Sequence, residues 1–238
     1  MSGAPRVPVR ARRSTYDARS AAVRVAGRGA EDHPKHARKE AYYESHRLPA
    51  ALARRYYRLF GHCRRILDIG CGTGEFGRFR PSDEYEIYGV DLDEGAVSRA
   101  GAHESAVVHD VSHERLPYAN AFFDAVLAKD ILEHVLEPST VVREMRRVLR
   151  PEGVVVASVV VAKPRRVWAD YTHVRGFTRA TARGLFEDNG FAVDSVWPMG
   201  GIPLTTRFAL VDAVPVLLRF PPFDALWTSS WELRAWAR

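Results

Sequence analysis

Residues 65 to 77 read Arg65-Ile66-Leu67-Asp68-Ile69-Gly70-Cys71-Gly72-Thr73-Gly74-Glu75-Phe76-Gly77, an apolar run with one acid that continues into closely spaced glycines. The apolar run predicts a buried strand. The glycines predict a sharp turn in which the backbone, with no Cβ in the way, comes close to a ligand. The spacing of Gly72, Gly74 and Gly77 also satisfies G-x-G-x-x-G, the pattern that places a dinucleotide pyrophosphate at the next helix N-terminus.

Asp68, two residues before the first glycine, indicates which of two kinds of ligand the loop binds. A fixed carboxylate would repel a pyrophosphate, whereas it attracts a ligand that carries an ammonium and a sulfonium group. The order Asp68, Gly70, Gly72, Gly74 resembles D-x-G-x-G-x-G, the first motif of the class I S-adenosylmethionine-dependent methyltransferases. This resemblance implies that Asp68 and the loop residues Gly70, Cys71, Gly72 and Gly74 bind the methyl donor. A merely tight strand-to-helix turn is the alternative interpretation.

Strand-like and helix-like segments alternate along the rest of the chain. Apolar runs predict strands at 65–69, 87–91, 106–109, 123–128, 154–161, 191–197 and 231–236. Helix formers fill 75–80, 94–102, 137–149 and 178–189, and the segment 35–60 reads as two short helices interrupted at Pro49. The alternation is typical of an α/β fold with a doubly wound parallel sheet. The resemblance implies the Rossmann-like methyltransferase form, with a mostly parallel seven-stranded sheet.

Length and composition fit one globular domain with a tail. The chain has 238 residues, 46% of them apolar, and a net charge of +6. Much of the positive charge lies near the N-terminus among Ala, Gly, Ser and Pro, so residues 1–34 are predicted to be a disordered basic tail, with a transit peptide as the alternative. Residues 35–238 form the predicted methyltransferase domain. A break at 198–201 opens a predicted cap insertion, 199–228, for which a surface helix packed on the core is the alternative.

Other properties of the sequence bear on location and partners. The two cysteines, Cys63 and Cys71, make a disulfide framework implausible and fit a reducing cytoplasm. The longest apolar run, Val154–Ala162, is shorter than the roughly 20 residues of a spanning helix, so we expect no transmembrane segment, and peripheral contact with a membrane stays open. We expect a small-molecule acceptor and no nucleic acid, because no RNA-binding module is recognisable. The sequence makes no prediction of the oligomeric state.

Acids at the ends of the next two strands extend the predicted donor site. Asp91 ends the second strand about twenty residues after the glycine loop, where a carboxylate accepts both hydroxyls of a ribose. The alternative is a helix N-cap, a role that Asp93 fits better. Leu92 is assigned to the donor site beside Asp91. The resemblance implies that Asp110, after the third strand, binds the adenine amino group and that Val111 offers a backbone N–H and an apolar contact.

The segment after the fourth strand strengthens the resemblance. It reads Lys129-Asp130-Ile131-Leu132-Glu133-His134-Val135, and its L-E-H-V ending is similar to that of many small-molecule methyltransferases, which puts Lys129 and His134 in the donor site. Asp130, Glu133 and His134 are spaced i, i+3, i+4, so they share one face if a helix begins at Asp130. They could then hold a divalent ion, a role proposed for a similar cluster in some quinone-pathway O-methyltransferases. We commit to no metal and favour hydrogen bonds from Glu133 and His134 to nearby loops.

The loop after the fifth strand is predicted to face the acceptor. It carries the pattern D-x-T-H-V-x-x-F-T, which resembles a segment of bacterial small-molecule and sugar-associated methyltransferases. His173, oriented by Asp170 or acting alone, is the candidate general base, because imidazole titrates near neutrality. The alternative is that His173 only holds the loop in place. Arginines of this loop either bind an acidic acceptor or are solvated: Arg165, Arg166 and Arg175.

These features predict an S-adenosylmethionine-dependent methyltransferase that acts on a hydroxyl of a sugar, a lipid-linked compound or a secondary metabolite. Methyl transfer to oxygen needs in-line approach and the loss of one proton. The alternatives are an N- or C-methyltransferase, an RNA or protein methyltransferase, a nicotinamide oxidoreductase, and a noncatalytic binding protein on the same fold. Against the RNA enzyme, no Asn/Asp-Pro-Pro-aromatic motif follows the fourth strand.

Overall fold

The computed structural model describes residues 47–200, 212–219 and 228–238. The predicted tail, the first of the two predicted N-terminal helices and most of the predicted insertion lie outside the described residues. The strands are β1 (Arg65–Ile69), β2 (Glu86–Asp91), β3 (Ser105–Val108), β4 (Phe123–Lys129), β5 (Leu149–Val160), β6 (Phe191–Gly200) and β7 (Thr228–Ala237). The helices are α1 (Ala50–Phe60), α2 (Glu75–Arg78), α3 (Glu94–Val97), α4 (Pro138–Val148), α5 (Pro164–Val167), α6 (Arg179–Glu187) and α7 (Val214–Leu217), with a 3-10 helix at Leu132–His134.

The strands form one sheet in the order β3-β2-β1-β4-β5-β7-β6. Pairing is parallel from β3 through β5, which confirms the predicted doubly wound, mostly parallel sheet. The strand β7 runs antiparallel to both of its neighbours, β5 and β6. The order reverses between β1 and β4, and in such sheets a ligand binds beyond the carboxyl ends of the strands at this point.

Two boundaries differ from the prediction. The helix α4 ends at Val148, but the chain enters β5 at once, and residues 150–153 form a bulge where the register jumps from Phe123–Leu149 to Ala125–Val154. The predicted break at 198–201 is wrong because β6 continues through Pro198 to Gly200. The strand β6 lies at the sheet edge and bonds to β7 alone, and an edge strand tolerates a proline that lacks an N–H.

The sheet is covered on both faces. One apolar cluster joins the sheet to α4 and α6 through residues such as Met145 and Phe186. The other joins it to α1 and α2 through Tyr56, Phe60 and Phe76. Alternate residues of a strand share a face, so the pattern of burial assigns each strand side chain to one helix layer.

The face that carries α1 changes from apolar to polar toward the carboxyl edge. Its apolar part includes Ile66 of β1, Leu127 of β4 and Val156 of β5. The residues two positions further along these strands are polar, and they lie on the same face: Asp68, Lys129 and Ser158. On β7, Glu232 pairs in register with Ser158 and so joins this polar row.

A buried ion pair ties α1 to the polar row. The Nε and Nη2 atoms of Arg55 donate to Glu232 Oε1 at 3.1 and 2.6 Å, and both side chains are at most 9% exposed. Nη1 of Arg55 donates to Asp212 at 2.9 Å. Burial raises the pKa of Glu232, although Arg55 opposes this shift. The pair therefore holds α1 against the sheet by compensating a charge that the fold has removed from water.

The short helix α7 is the described part of the predicted insertion. Its Val214 and the adjacent Leu218 pack against Met199 of β6 and Leu52 of α1. The length and apolar sequence needed to cross a bilayer are found in no helix of the described ranges.

Replacing Arg55 tests the importance of the buried pair. We expect Arg55→Met to lower the free energy of unfolding by about 3–5 kcal/mol, because it leaves Glu232 buried without its partner. Urea unfolding followed by circular dichroism measures the change. The matched control is Arg58→Met, which removes an exposed partner of Asp212 and should cost less than about 1 kcal/mol. The double variant Arg55→Met/Glu232→Gln should recover part of the stability that Arg55→Met loses. Equal losses of stability in Arg55→Met and Arg58→Met would contradict the assignment.

Candidate active site

The glycine loop is fastened to the end of β2. Gly70, Gly72 and Gly74 have φ angles of 76°, 51° and 78°, a region that favours glycine. The N–H groups of Gly70 and Cys71 both donate to Val90 O, at 2.8 and 3.1 Å. The N–H of Gly72 donates to the Asp91 carboxylate at 2.8 Å. The loop therefore has a defined shape that the neighbouring strand imposes on it.

The space beside two of these glycines is occupied by protein. A Cβ added to Gly70 would lie 2.1 Å from Cδ1 of Ile131, in the segment after β4. A Cβ added to Gly74 would lie 2.9 Å from Ala100 Cα and 2.9 Å from His103 Nδ1. The prediction gave two reasons for glycine here, a sharp turn of the backbone and close approach of a ligand. The structure adds that the missing side chains make room for two neighbouring segments.

Asp91 lies at the carboxyl end of β2 with both oxygens engaged by the backbone. Besides the bond from Gly72, its Oδ1 accepts from Asp93 N at 2.9 Å. Burial raises the pKa of Asp91, although the two backbone N–H groups oppose this shift. Asp93 caps α3 by accepting from Ala96 N at 3.0 Å, as its spacing suggested, so Asp91 is not the cap. The side chain of Leu92 next to it is 69% exposed.

Asp68 is buried beneath the loop, where sequence reasoning missed its partner. It is 4% exposed, and its Oδ2 lies 3.2 Å from Nε2 of His103. Cys71 is also buried, and burial, followed by the charges of Asp68 and Asp91, raises the pKa of its thiol. No sequence motif links His103 to Asp68, because the two are 35 residues apart and meet only through the fold.

The carboxylate of Asp110 organises the turn after β3. Its oxygens contact Ser112 N and His113 Nδ1, both at 2.8 Å. Burial opposes the shift, but these hydrogen bonds lower the pKa of Asp110. Val111 packs partly buried against the core. The turn lies next to Asp91, because His109 N donates to Asp91 O at 2.8 Å.

The segment after β4 differs from the prediction. No helix begins at Asp130, whose φ angle of 55° reverses the chain, and the 3-10 helix starts only at Leu132. The Asp130 carboxylate contacts Lys129 Nζ and Ser158 Oγ instead. Asp130 therefore does not share a helix face with Glu133 and His134.

Glu133 is a buried carboxyl with one free oxygen. It is 1% exposed; its Oε1 accepts from Val160 N at 3.2 Å, and its Oε2 has no hydrogen-bond partner among the described residues. Burial, followed by the charge of Asp130, raises the pKa of Glu133 to about 8. The side chain of Glu133 thus bonds to the end of β5, not to a nearby loop as expected.

His134 and His173 lie side by side, with ring centroids 4.7 Å apart. Nδ1 of His173 is 2.8 Å from Val167 O, a carbonyl that can only accept, so Nδ1 carries the proton and Nε2 keeps a lone pair. Burial lowers the pKa of His134, and so does the charge of His173 when that residue is protonated. At neutral pH the ring of His134 is therefore uncharged, and it lies next to the ring of His173.

Asp170 orients His134 through Thr172 and does not bond to the ring of His173. The Thr172 hydroxyl lies 2.6 Å from Asp170 Oδ1 and 3.0 Å from His134 Nδ1. Since a carboxylate accepts, the hydroxyl proton goes to Asp170 and the oxygen accepts the proton of His134 Nδ1. The lone pair of His134 then lies on Nε2, as in His173. Thr172 is a second residue that the sequence reasoning missed.

Three side chains at this place could hold a metal ion. Ligand-capable atoms of Glu133, His134 and His173 lie within 4.8 Å of one another. The set differs from the one considered from the sequence, to which no metal was assigned, because His173 takes the place of Asp130. Each imidazole also has its Nδ1 fixed by a neighbour, an arrangement that metal-binding histidines share with catalytic ones.

Sequence comparisons agree with the motifs. A methyltransferase-domain family model matches residues 67–157. The ubiquinone biosynthesis O-methyltransferase of Pseudomonas paraeruginosa is 29% identical over 175 residues, 63% of this chain and 74% of the relative. The 27-O-demethylrifamycin SV methyltransferase of Amycolatopsis mediterranei is 36% identical over 121 residues, 47% of this chain and 44% of the relative.

Comparison of structures agrees with the strand order and helix layers. A S-adenosylmethionine-dependent methyltransferase from Archaeoglobus fulgidus superposes with a TM-score of 0.66 at 20% identity, over 83% of this chain and 99% of the other. At this identity the structural likeness shows the fold alone. The support for the family comes from the sequence matches and the glycine motif. The family model and the sequence relatives support a class I S-adenosylmethionine-dependent methyltransferase.

Proposed function

We propose that this enzyme methylates a hydroxyl group of a small molecule, with His173 as the general base. The observation that carries the proposal is the pair of imidazoles, His134 and His173, each with Nδ1 hydrogen-bonded so that the lone pair lies on Nε2. A base with a fixed tautomer and an open nitrogen is what removal of a hydroxyl proton requires.

The donor is assigned to the glycine loop and the acids around it. Asp68 receives the ammonium group of S-adenosylmethionine, and Asp91 receives the ribose hydroxyls. Adenine lies between Leu92 and Val111, with its amino group at Asp110. Backbone groups of the loop from Gly70 to Gly74 line the methionine part, with Lys129 and His134 at its other side.

The reaction is a direct displacement. The acceptor oxygen attacks the methyl carbon in line with the bond to sulfur, the new C–O bond forms, and the S–C bond breaks to leave S-adenosylhomocysteine. The hydroxyl proton passes to Nε2 of His173. Asp170 holds the hydroxyl of Thr172, and Thr172 holds the ring of His134. The ring of His134 therefore keeps one orientation beside His173, whose Nδ1 proton is bonded to Val167 O.

The exposed rim favours an acceptor with apolar or aromatic character. Trp168 and Tyr171, in the loop that carries His173, are 68% and 81% exposed, and Leu136 after the 3-10 helix is 68% exposed. The aromatic side chains of Trp168 and Tyr171 offer large flat surfaces on which an apolar or aromatic acceptor can pack. The two named relatives, one in ubiquinone biosynthesis and one acting on a rifamycin, support an aromatic or polyketide hydroxyl over a sugar.

A transfer assay tests the function. The protein is incubated with S-adenosylmethionine and a panel of catechols, hydroquinones, polyketide phenols, sugars, amines and RNA. We expect S-adenosylhomocysteine to form only with a hydroxyl compound, whose mass rises by one methylene unit, and fragmentation should locate the methyl group on oxygen. The rate should survive dialysis against EDTA, because the base needs no metal. Methyl transfer confined to nitrogen, carbon or RNA would refute the proposal, and loss of activity restored by a divalent ion would make the three-residue cluster a metal site.

Asp91→Ala tests the donor assignment. The change removes the ribose acceptor and the brace on Gly72, so S-adenosylmethionine should bind about 100-fold more weakly or not at all, with the fold retained. Isothermal titration measures the binding, and circular dichroism checks the fold. Asp93→Ala is the matched control: it removes the α3 cap at a cost of about 1 kcal/mol in stability, and donor affinity should stay unchanged. Equal donor affinity in Asp91→Ala and the parent protein would remove Asp91 from the site.

His173→Ala tests the base. Turnover with the identified acceptor should fall by about 10²–10⁴-fold, the range for loss of general-base catalysis, while the Kd for S-adenosylmethionine stays the same. His62→Ala, at an exposed position in the turn after α1, is the matched control and should have no effect. Undiminished turnover in His173→Ala would end the role of His173 as base.

A further inference from the structure

His103 occupies a closed niche under the glycine loop. It lies between α3 and β3, and its side chain is 0% exposed. Added Cβ atoms at Gly74 and Gly77 would lie 2.9 and 3.0 Å from its Nδ1, and one at Gly89 would lie 3.0 Å from its Cδ2. The absence of side chains at these three glycines thus leaves room for the imidazole of His103.

The hydrogen bond of His103 reaches the acid that faces the donor. Nε2 of His103 lies 3.2 Å from Oδ2 of Asp68, whose residue is 4% exposed. Because a carboxylate accepts, Nε2 carries the proton and donates it. The other carboxylate oxygen, Oδ1, is not used by this bond. The contact therefore restricts rotation of the Asp68 carboxylate and leaves one oxygen for a second partner.

The contact with Asp68 is the hydrogen bond that the ring of His103 makes in its niche. Its Nδ1 is buried and has no hydrogen-bond partner among the described residues. An imidazole N–H can orient the carboxylate of Asp68. A lysine or arginine in the niche would instead cancel the charge that attracts the ammonium and sulfonium groups.

We propose that His103 is a positioning residue for donor binding, which acts through Asp68 to hold one carboxylate oxygen toward the amino group of S-adenosylmethionine. The inference rests on the proposed role of Asp68. It adds a residue outside the glycine motif, contributed by the loop before β3, to the determinants of donor affinity. The niche of His103 is one reason for glycine at positions 77 and 89, where an added Cβ would also meet Ala102 O at 2.8 Å and Cys71 Sγ at 2.7 Å.

The test compares ligands with and without the amino acid part. S-adenosylmethionine and S-adenosylhomocysteine carry the amino group, and 5′-methylthioadenosine lacks it. In His103→Leu, which keeps the bulk and removes the donor, we expect the first two to bind about tenfold more weakly, since the carboxylate that receives their amino group loses the hydrogen bond that orients it. Binding of 5′-methylthioadenosine should not change. A collapsed loop would weaken all three ligands, and that result would overturn the proposal.

Two further variants make the result independent of folding. His103→Gln can place an amide N–H near the position of Nε2, so it should restore most of the affinity that His103→Leu loses. In a double-mutant cycle, Asp68→Asn/His103→Leu should bind S-adenosylmethionine no more weakly than Asp68→Asn alone. Additive losses, or a His103→Leu protein that binds like the parent, would overturn the proposal. If Asp68→Asn itself binds normally, the assignment of Asp68 fails, and the proposal for His103 fails with it for a separate reason.

Discussion

The hydrogen bond from Gly72 N to the Asp91 carboxylate is the contact on which the proposed donor site depends. It joins the loop after β1 to the end of β2, while Val90 O accepts from the two preceding N–H groups. These bonds fix the loop before any ligand arrives, so binding does not have to order it. The same carboxylate is assigned to the ribose, which means that loop shape and ligand recognition share one side chain. A change at Asp91 therefore cannot affect one without the other.

The local parts of this site were readable from the sequence. The glycine motif, the acid before it and the alternating segments predicted the strand, the turn and the fold, because each depends on residues close together in the chain. The parts that were missed are contacts between distant segments. His103 meets Asp68 across 35 residues, and Thr172 meets His134 across 38. The helix expected at Asp130 failed for a similar reason: the carboxylate is drawn to Lys129 and Ser158, and a left-handed residue reverses the chain there.

Several carboxyl groups are buried along the carboxyl edge of the sheet, and they are not equivalent. Glu232 is paired with Arg55 and serves the packing of α1. Asp68 is hydrogen-bonded to His103, whereas Glu133 has a raised pKa and one oxygen without a hydrogen-bond partner in the described part of the chain. Burying such groups opposes folding unless they are paired. Their incomplete pairing is understandable where a cationic ligand and a proton transfer are proposed to complete it.

The position of β7 has a consequence for the order in which the sheet assembles. This strand lies between β5 and β6, yet it follows both in the chain. The strand β6 is joined to the sheet through β7 alone, so its pairing requires residues 228–237 to be in place. The strands from β3 through β5, in contrast, pair directly with one another. The antiparallel part of the sheet therefore forms only when the one segment 228–237 pairs with β5 on one side and β6 on the other.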